Sequence, residues 1–81
     1  MAYEYVAEDN VAAAELLLER IFSAVERLVQ YPGMGRSGRV EETRELVITG
    51  TPFVVVYRAG RDRLGVLAVL HAARRWPEEF P

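Results

Sequence analysis

The chain has 81 residues and a formal net charge of −2, which leaves room for one compact core and implies a single domain over residues 1–81. Its 51% hydrophobic and 27% charged content, with a mean hydropathy of essentially zero, is that of an ordinary globular protein and argues against disorder. The lack of cysteine removes disulfides and thiolate chemistry, a single histidine argues against a metal site, and no apolar run is long enough to span a membrane.

The N-terminus carries Glu4 where a secretory signal needs positive charge, so the chain reads as cytoplasmic. Tyr3, Glu4, Tyr5 and Val6 resemble the last turn of a helix, with residues 7–10 as a bend. Residues 8–29 then form one amphipathic helix, because Ala14, Leu17, Leu18, Ile21, Val25, Leu28 and Val29 fall on one stripe at helical spacing. Asp9 or Asn10 supplies the N-cap oxygen, and Pro32 and Gly33 end the helix. Glu15, Glu19, Arg20, Glu26 and Arg27 lie off the stripe and read as a solvated face.

Residues 31–42 turn to Pro, Gly, Ser and charge, a loop by every local signal. Three antiparallel strands follow. Residues 43–49 alternate Arg44, Leu46 and Ile48 against Thr43, Glu45, Val47 and Thr49; residues 53–58 are β-branched and aromatic; residues 64–71 end on the only histidine, His71. Gly50-Thr51-Pro52 and Ala59-Gly60-Arg61-Asp62 make the turns between them. The fold class is therefore α+β, one helix packed on a small antiparallel sheet.

Charge is divided unevenly along the chain. Residues 1–35 hold two arginines against six acids, and residues 36–75 hold eight arginines against four acids. Every basic residue is arginine, which suits bidentate grip of carboxylates or phosphates and equally follows from a genome that encodes arginine freely. Arg44 and Arg58 lie on neighbouring strands, where Glu41, Glu42 and Glu45 are candidate ion-pair partners; several arginines on one sheet face would make a binding surface.

The chemistry converges after the last strand, in His71-Ala72-Ala73-Arg74-Arg75-Trp76-Pro77. His71 is the natural general base for attack of a 2′-hydroxyl on a phosphate, with Arg44, Arg58 and Arg74 to stabilise the charge. The competing reading is a strand-end histidine satisfied by hydrogen bonds, since no second acid or base accompanies it. Arg74, Arg75 and Trp76 have the composition of an interface anchor, and Trp76 before Pro77 equally suits a side chain folded back over the core.

The order Tyr31-Pro32-Gly33-Met34-Gly35-Arg36, Thr43-Arg44-Glu45-Leu46, Pro52-Phe53-Val54-Val55-Val56-Tyr57-Arg58 and Val69-Leu70-His71-Ala72-Ala73-Arg74-Arg75-Trp76-Pro77 resembles the RelE/ParE superfamily of bacterial toxins. The resemblance implies a type II toxin–antitoxin module, with a toxin neutralised by a cognate antitoxin. It is closer to the ParE branch, whose members as a group poison DNA gyrase without a hydrolytic site. RelE-type members, ribosome-dependent mRNA endoribonucleases, usually place arginine after the aromatic that opens the central strand and a basic residue after the histidine. Val54 and Ala72 stand at those positions here. A net-acidic chain is also a poor start for direct nucleic-acid binding.

Members of the superfamily begin with a strand and a full first helix before the segment matching Tyr3 to Asn10. Both are essentially missing from this sequence, leaving the remnant of a helical hairpin, and an inactive toxin that binds only antitoxin is a third reading. Their loss would open a sheet edge and uncover part of the helix, inviting self-association. The expected binding residues are Arg44, Arg58, His71, Arg74, Arg75 and Trp76 for target or carboxylate, and Leu17, Ile21 and Val25 for the apolar anchors of an acidic, amphipathic antitoxin segment. No residue is assigned to catalysis, metal or cofactor binding.

Overall fold

The computed structural model describes residues 11–80. The expected helix remnant near Tyr5, the N-cap at Asp9 or Asn10 and the missing first strand all lie outside the described residues. Helix α1 is Val11–Gln30, followed by strands β1 (Arg36–Ser37), β2 (Arg44–Val47), β3 (Phe53–Ala59) and β4 (Leu64–His71). The strands form one antiparallel sheet in the order β1-β2-β3-β4, a meander against which the helix lays one face.

One expectation is corrected. The segment read as a loop contains the two-residue strand β1, so the sheet has four strands rather than three. Two residues are too few to show a period, and their order comes from pairing: Arg36 lies opposite Glu45 and Ser37 opposite Arg44.

Alternation along the sheet sorts the side chains onto two faces. Phe53, Val55 and Tyr57 point to the helix side and build the core with Leu17, Leu28 and Ile48; Ile21, Leu46, Leu64 and Val69 pack around them. The helix stripe differs from its expected membership at two positions. Ala24 is fully buried, its small side chain permitting close approach, and Val29 is 67% exposed because it falls past the edge of the sheet-facing arc.

The β3–β4 pairing slips between Val56 and Tyr57: Val56 faces Ala68 whereas Tyr57 faces Val66, which leaves Leu67 as the extra residue of a bulge. The bulge turns Val66 and Leu64 onto the helix side with Tyr57. Without it, strict alternation would send Leu64 to the face of Ala68 and Leu70, away from the core it joins.

Tyr57 ties the helix exit to the sheet. Its side chain is fully buried, its hydroxyl donates to the Pro32 carbonyl at 2.8 Å, and it accepts from the Gly35 N–H at 2.9 Å. Gly35 has no room for a side chain, since a Cβ there would stand 2.8 Å from the Tyr57 ring and 2.9 Å from the Glu45 carbonyl. Replacing Tyr57 with Phe leaves the Gly35 N–H and Pro32 carbonyl without partners, and the expected loss of unfolding free energy is about 1–3 kcal/mol. Urea unfolding of Tyr57→Phe against the parent chain measures it, and an unchanged midpoint would show that this tether is dispensable.

Candidate functional site

Val54 and Val56, on the sheet face away from the helix, are as fully buried as Val55 and Tyr57. A second layer therefore lies over that face, and its polar centre is Glu45, the neighbour of Val56 and Arg36 in the sheet. Glu45 is 3% exposed. Its Oε1 accepts from Arg36 Nη2 at 3.1 Å, its Oε2 accepts from the Arg39 backbone N–H at 2.7 Å, and Arg39 Nε lies 3.5 Å from the same oxygen. Burial pushes this carboxyl up, but the Arg39 N–H, the Arg36 hydrogen bond and the two positive charges outweigh it and hold the group below its ordinary value.

The glutamate in turn aims Arg39. The Arg39 guanidinium lies over the Trp76 ring, 3.5 Å from its centroid, and its Nη1 reaches the Ala72 carbonyl at 3.5 Å. From the other side, Trp76 Nε1 donates to the His71 carbonyl at 2.9 Å. Thus the segment after β4 folds back onto the outer face, clamped by an arginine that a buried carboxylate holds in place. Arg58, also on this face, donates from Nη2 to the Phe80 carbonyl at 3.1 Å and fastens the tail further on. Trp76 is half-buried and serves as the fold-back residue that one of its two expected roles required.

His71 is partly buried at the junction of the two layers. Its ring meets Phe53 edge-on with centroids 5.6 Å apart, and its Nδ1 accepts from the Ala73 N–H at 3.1 Å. The neutral ring then carries its proton on Nε2. Its backbone accepts from both Trp76 and Arg74, and the Ala72 N–H donates to the Pro52 carbonyl at 2.8 Å, so this corner is closely tied. Among the described residues no carboxylate hydrogen-bonds His71. Arg74 and Arg75 stand exposed on the same turn.

The structure divides the remaining candidates. Arg44 pairs with Tyr57 on the helix side, where its Nη1 donates to the Gly35 carbonyl at 2.8 Å, so it is not on the face of Arg58. Glu45 pairs with Arg36 and Arg39 in place of the expected Arg44 or Arg58. Arg36 and Arg39 are thus members of the arginine corner that the sequence reading passed over; the signal available was the Arg36–Glu45 opposition, hidden because β1 was read as loop. Leu17 is 4% exposed within the core and Ile21 packs beside it, so these two expected partner anchors already face the sheet; Val25 is half-buried at the edge of that row.

The family model for ParE toxin of type II toxin-antitoxin systems (parDE) matches residues 2–76. The chain belongs to the ParE toxin family. It is also 42% identical over 74 residues to a protein named "Putative toxin Y4kP" of Sinorhizobium fredii (strain NBRC 101917 / NGR234), a match covering 91% of this chain and 76% of that protein. No solved structure matches the chain. Membership of this ParE family brings an antitoxin partner in general, and the α+β architecture of one helix on a four-stranded antiparallel sheet is consistent with it. Among the described residues no helix is long and apolar enough to cross a membrane.

Two measurements probe the clamp. Because the Glu45 value is lowered on folding, its contribution to stability is fully present above the unfolded value of about 4.5 and is lost as pH falls through the folded value. The stability gap between the parent and Glu45→Gln should therefore be widest near neutrality and shrink as pH falls below about 4.5 towards the folded value. A gap that stays constant across that range would show that the ionised form is not what matters. Arg39→Ala should uncover the single tryptophan, moving its emission to longer wavelength, and lower stability by about 0.5–2 kcal/mol; an unmoved emission maximum would show that Arg39 does not cover the ring.

Proposed function

We propose that this ParE family member acts by protein binding, inhibiting DNA gyrase from the cytoplasm as a single-domain toxin, and that a cognate antitoxin neutralises it. The observation that supports binding over hydrolysis is the state of His71. Its Nδ1 is engaged by the Ala73 N–H and its ring packs on Phe53, while Arg74 and Arg75 on the same turn are exposed residues. A general base needs a free nitrogen at the reacting proton and a partner to orient it. An interface anchor needs exposed charge on a rigid mount, and the hydrogen bonds around His71 make one. Carboxylates of an antitoxin segment suit the same arginine corner.

Growth arrest on induction, paired with inhibition of purified gyrase on supercoiled plasmid, tests this reading. Arg74→Glu with Arg75→Glu should abolish both while the chain stays folded, each lost contact weakening the complex by about 1.5–3 kcal/mol. His71→Gln, which keeps a polar side chain at the corner, should retain most of the activity. A ribosome-dependent ribonuclease using His71 as base would instead lose about 10²- to 10⁴-fold in that variant. Loss of arrest in His71→Gln with the fold intact would overturn the gyrase reading.

A further inference from the structure

The Arg39 guanidinium braces the turn after β4 at both ends. Its Nη1 reaches the carbonyl of Ala72, where the turn begins, and its face covers the ring of Trp76, where the turn ends. Arg74 and Arg75, the exposed residues assigned above to binding, lie between those two points. The turn also closes on itself, because the His71 carbonyl accepts from the Arg74 N–H at 3.1 Å and from Trp76 Nε1 at 2.9 Å. Those two bonds give the turn its shape. Its placement on the sheet needs contacts from elsewhere. The Ala72 N–H bonded to the Pro52 carbonyl at 2.8 Å holds the start of the turn, and Arg39, 33 residues from Ala72 in sequence, holds the start and the far end together.

Arg39 can act as a brace because it is itself held at two points. Glu45, a buried residue of strand β2, accepts the Arg39 backbone N–H on Oε2 at 2.7 Å and has Arg39 Nε 3.5 Å from the same oxygen. The loop that carries Arg39 is tied on either side. The Gly38 N–H donates to the Thr43 carbonyl at 2.7 Å, and a Cβ at Gly38 would stand 2.8 Å from that oxygen. Val40 is 6% exposed, and its carbonyl accepts from the Thr43 N–H at 3.2 Å and from Thr43 Oγ1 at 2.6 Å. A path of direct contacts therefore runs from the sheet through Glu45 and Arg39 to Trp76 and the two exposed arginines.

We infer, resting on the gyrase reading above, that Arg39 is a positioning residue for the binding corner: it sets where Arg74 and Arg75 stand and leaves the contact with the target to them. Its guanidinium has one face on an indole, Nε beside a carboxylate and Nη1 at a carbonyl, so its chemistry is committed to the fold. Side chains on a placed turn lose less freedom on binding than side chains on a loose one, which is how a residue without target contact raises affinity.

The test is a double-mutant cycle on the 81-residue chain, read as affinity for purified gyrase with every variant assayed below its unfolding midpoint. Arg39→Ala should weaken binding about tenfold in the parent, and about threefold or less in chains already carrying Arg74→Ala or Arg75→Ala, because a side chain that has been removed can no longer be misplaced. Equal factors in all backgrounds are what a direct target contact or a general loss of stability would give, and they would overturn the inference. Hydrogen exchange on the unbound chain reads the placement without gyrase. Arg39→Ala should speed exchange of the Ala73 and Arg74 amides by at least about threefold beyond any change at Val55 and Tyr57; a uniform change, or none at the turn, would also overturn it. Arg39→Lys keeps a cation on the ring but cannot reach Glu45 and Ala72 together, and it replaces the alanine variant in both measurements if that variant does not fold. Failure of the gyrase reading has a different signature. A parent chain that does not bind gyrase, or Arg74→Glu with Arg75→Glu leaving binding unchanged, overturns that reading and this inference with it. Binding abolished by the charge reversal but parent-like in Arg39→Ala overturns this inference alone.

Discussion

Strand β3 is buried on both faces, and most of the architecture follows from that constraint. Val54, Val55, Val56 and Tyr57 expose none of their surface, and Phe53 exposes 5%. A helix can cover only one face of a sheet, and here α1 meets the side of Phe53, Val55 and Tyr57. The opposite side needs its own cover, and among the described residues a loop and the tail contribute to it. The loop from β1 to β2 and the segment after β4 meet over that face. Their polar backbones are accommodated because Glu45, Arg39 and Trp76 satisfy one another and the nearby carbonyls.

This arrangement gives Glu45 a role out of proportion to its size. A carboxylate with almost no exposure is expensive unless it is fully paired, and removing one partner of such a group leaves an uncompensated charge. Here one carboxylate holds Arg36 on strand β1 and both the backbone and side chain of Arg39. Arg39 then fixes the position of Trp76, and Trp76 that of the turn bearing Arg74 and Arg75. The exposed arginines thus stand on a mount that reaches back to the sheet interior. Precise placement lowers the ordering cost of binding, which is how a small surface reaches useful affinity.

Two exposed surfaces of the fold carry opposite charge. The corner after β4 is arginine-rich, whereas the outer face of α1 carries the exposed Glu15, Glu19 and Glu26. That separation matches the division of charge along the sequence. Net charge, the sum of the two, conceals both.

Much of this was legible in the sequence wherever one local period carried the information. The 3.6-residue spacing of Leu17, Ile21 and Leu28 specifies the helix and its buried face, Pro32-Gly33 its end, and the β-branched run through Tyr57 the central strand. The motif order also carried the toxin family. What local pattern could not supply depends on contacts between distant residues. Strand β1 is defined by its pairing with β2, where Arg36 lies opposite Glu45, and the bulge at Leu67 brings Leu64 to the face of a core that includes residues as distant as Leu17 and Leu28. The choice of Arg36 and Arg39 over Arg44 and Arg58 as partners of Glu45 was a matter of which face each guanidinium reached. Composition names the charges available to a site, but pairing geometry decides which of them meet, because an ion pair or a stacked ring forms at a few ångströms and the chain brings distant residues to that range only by folding.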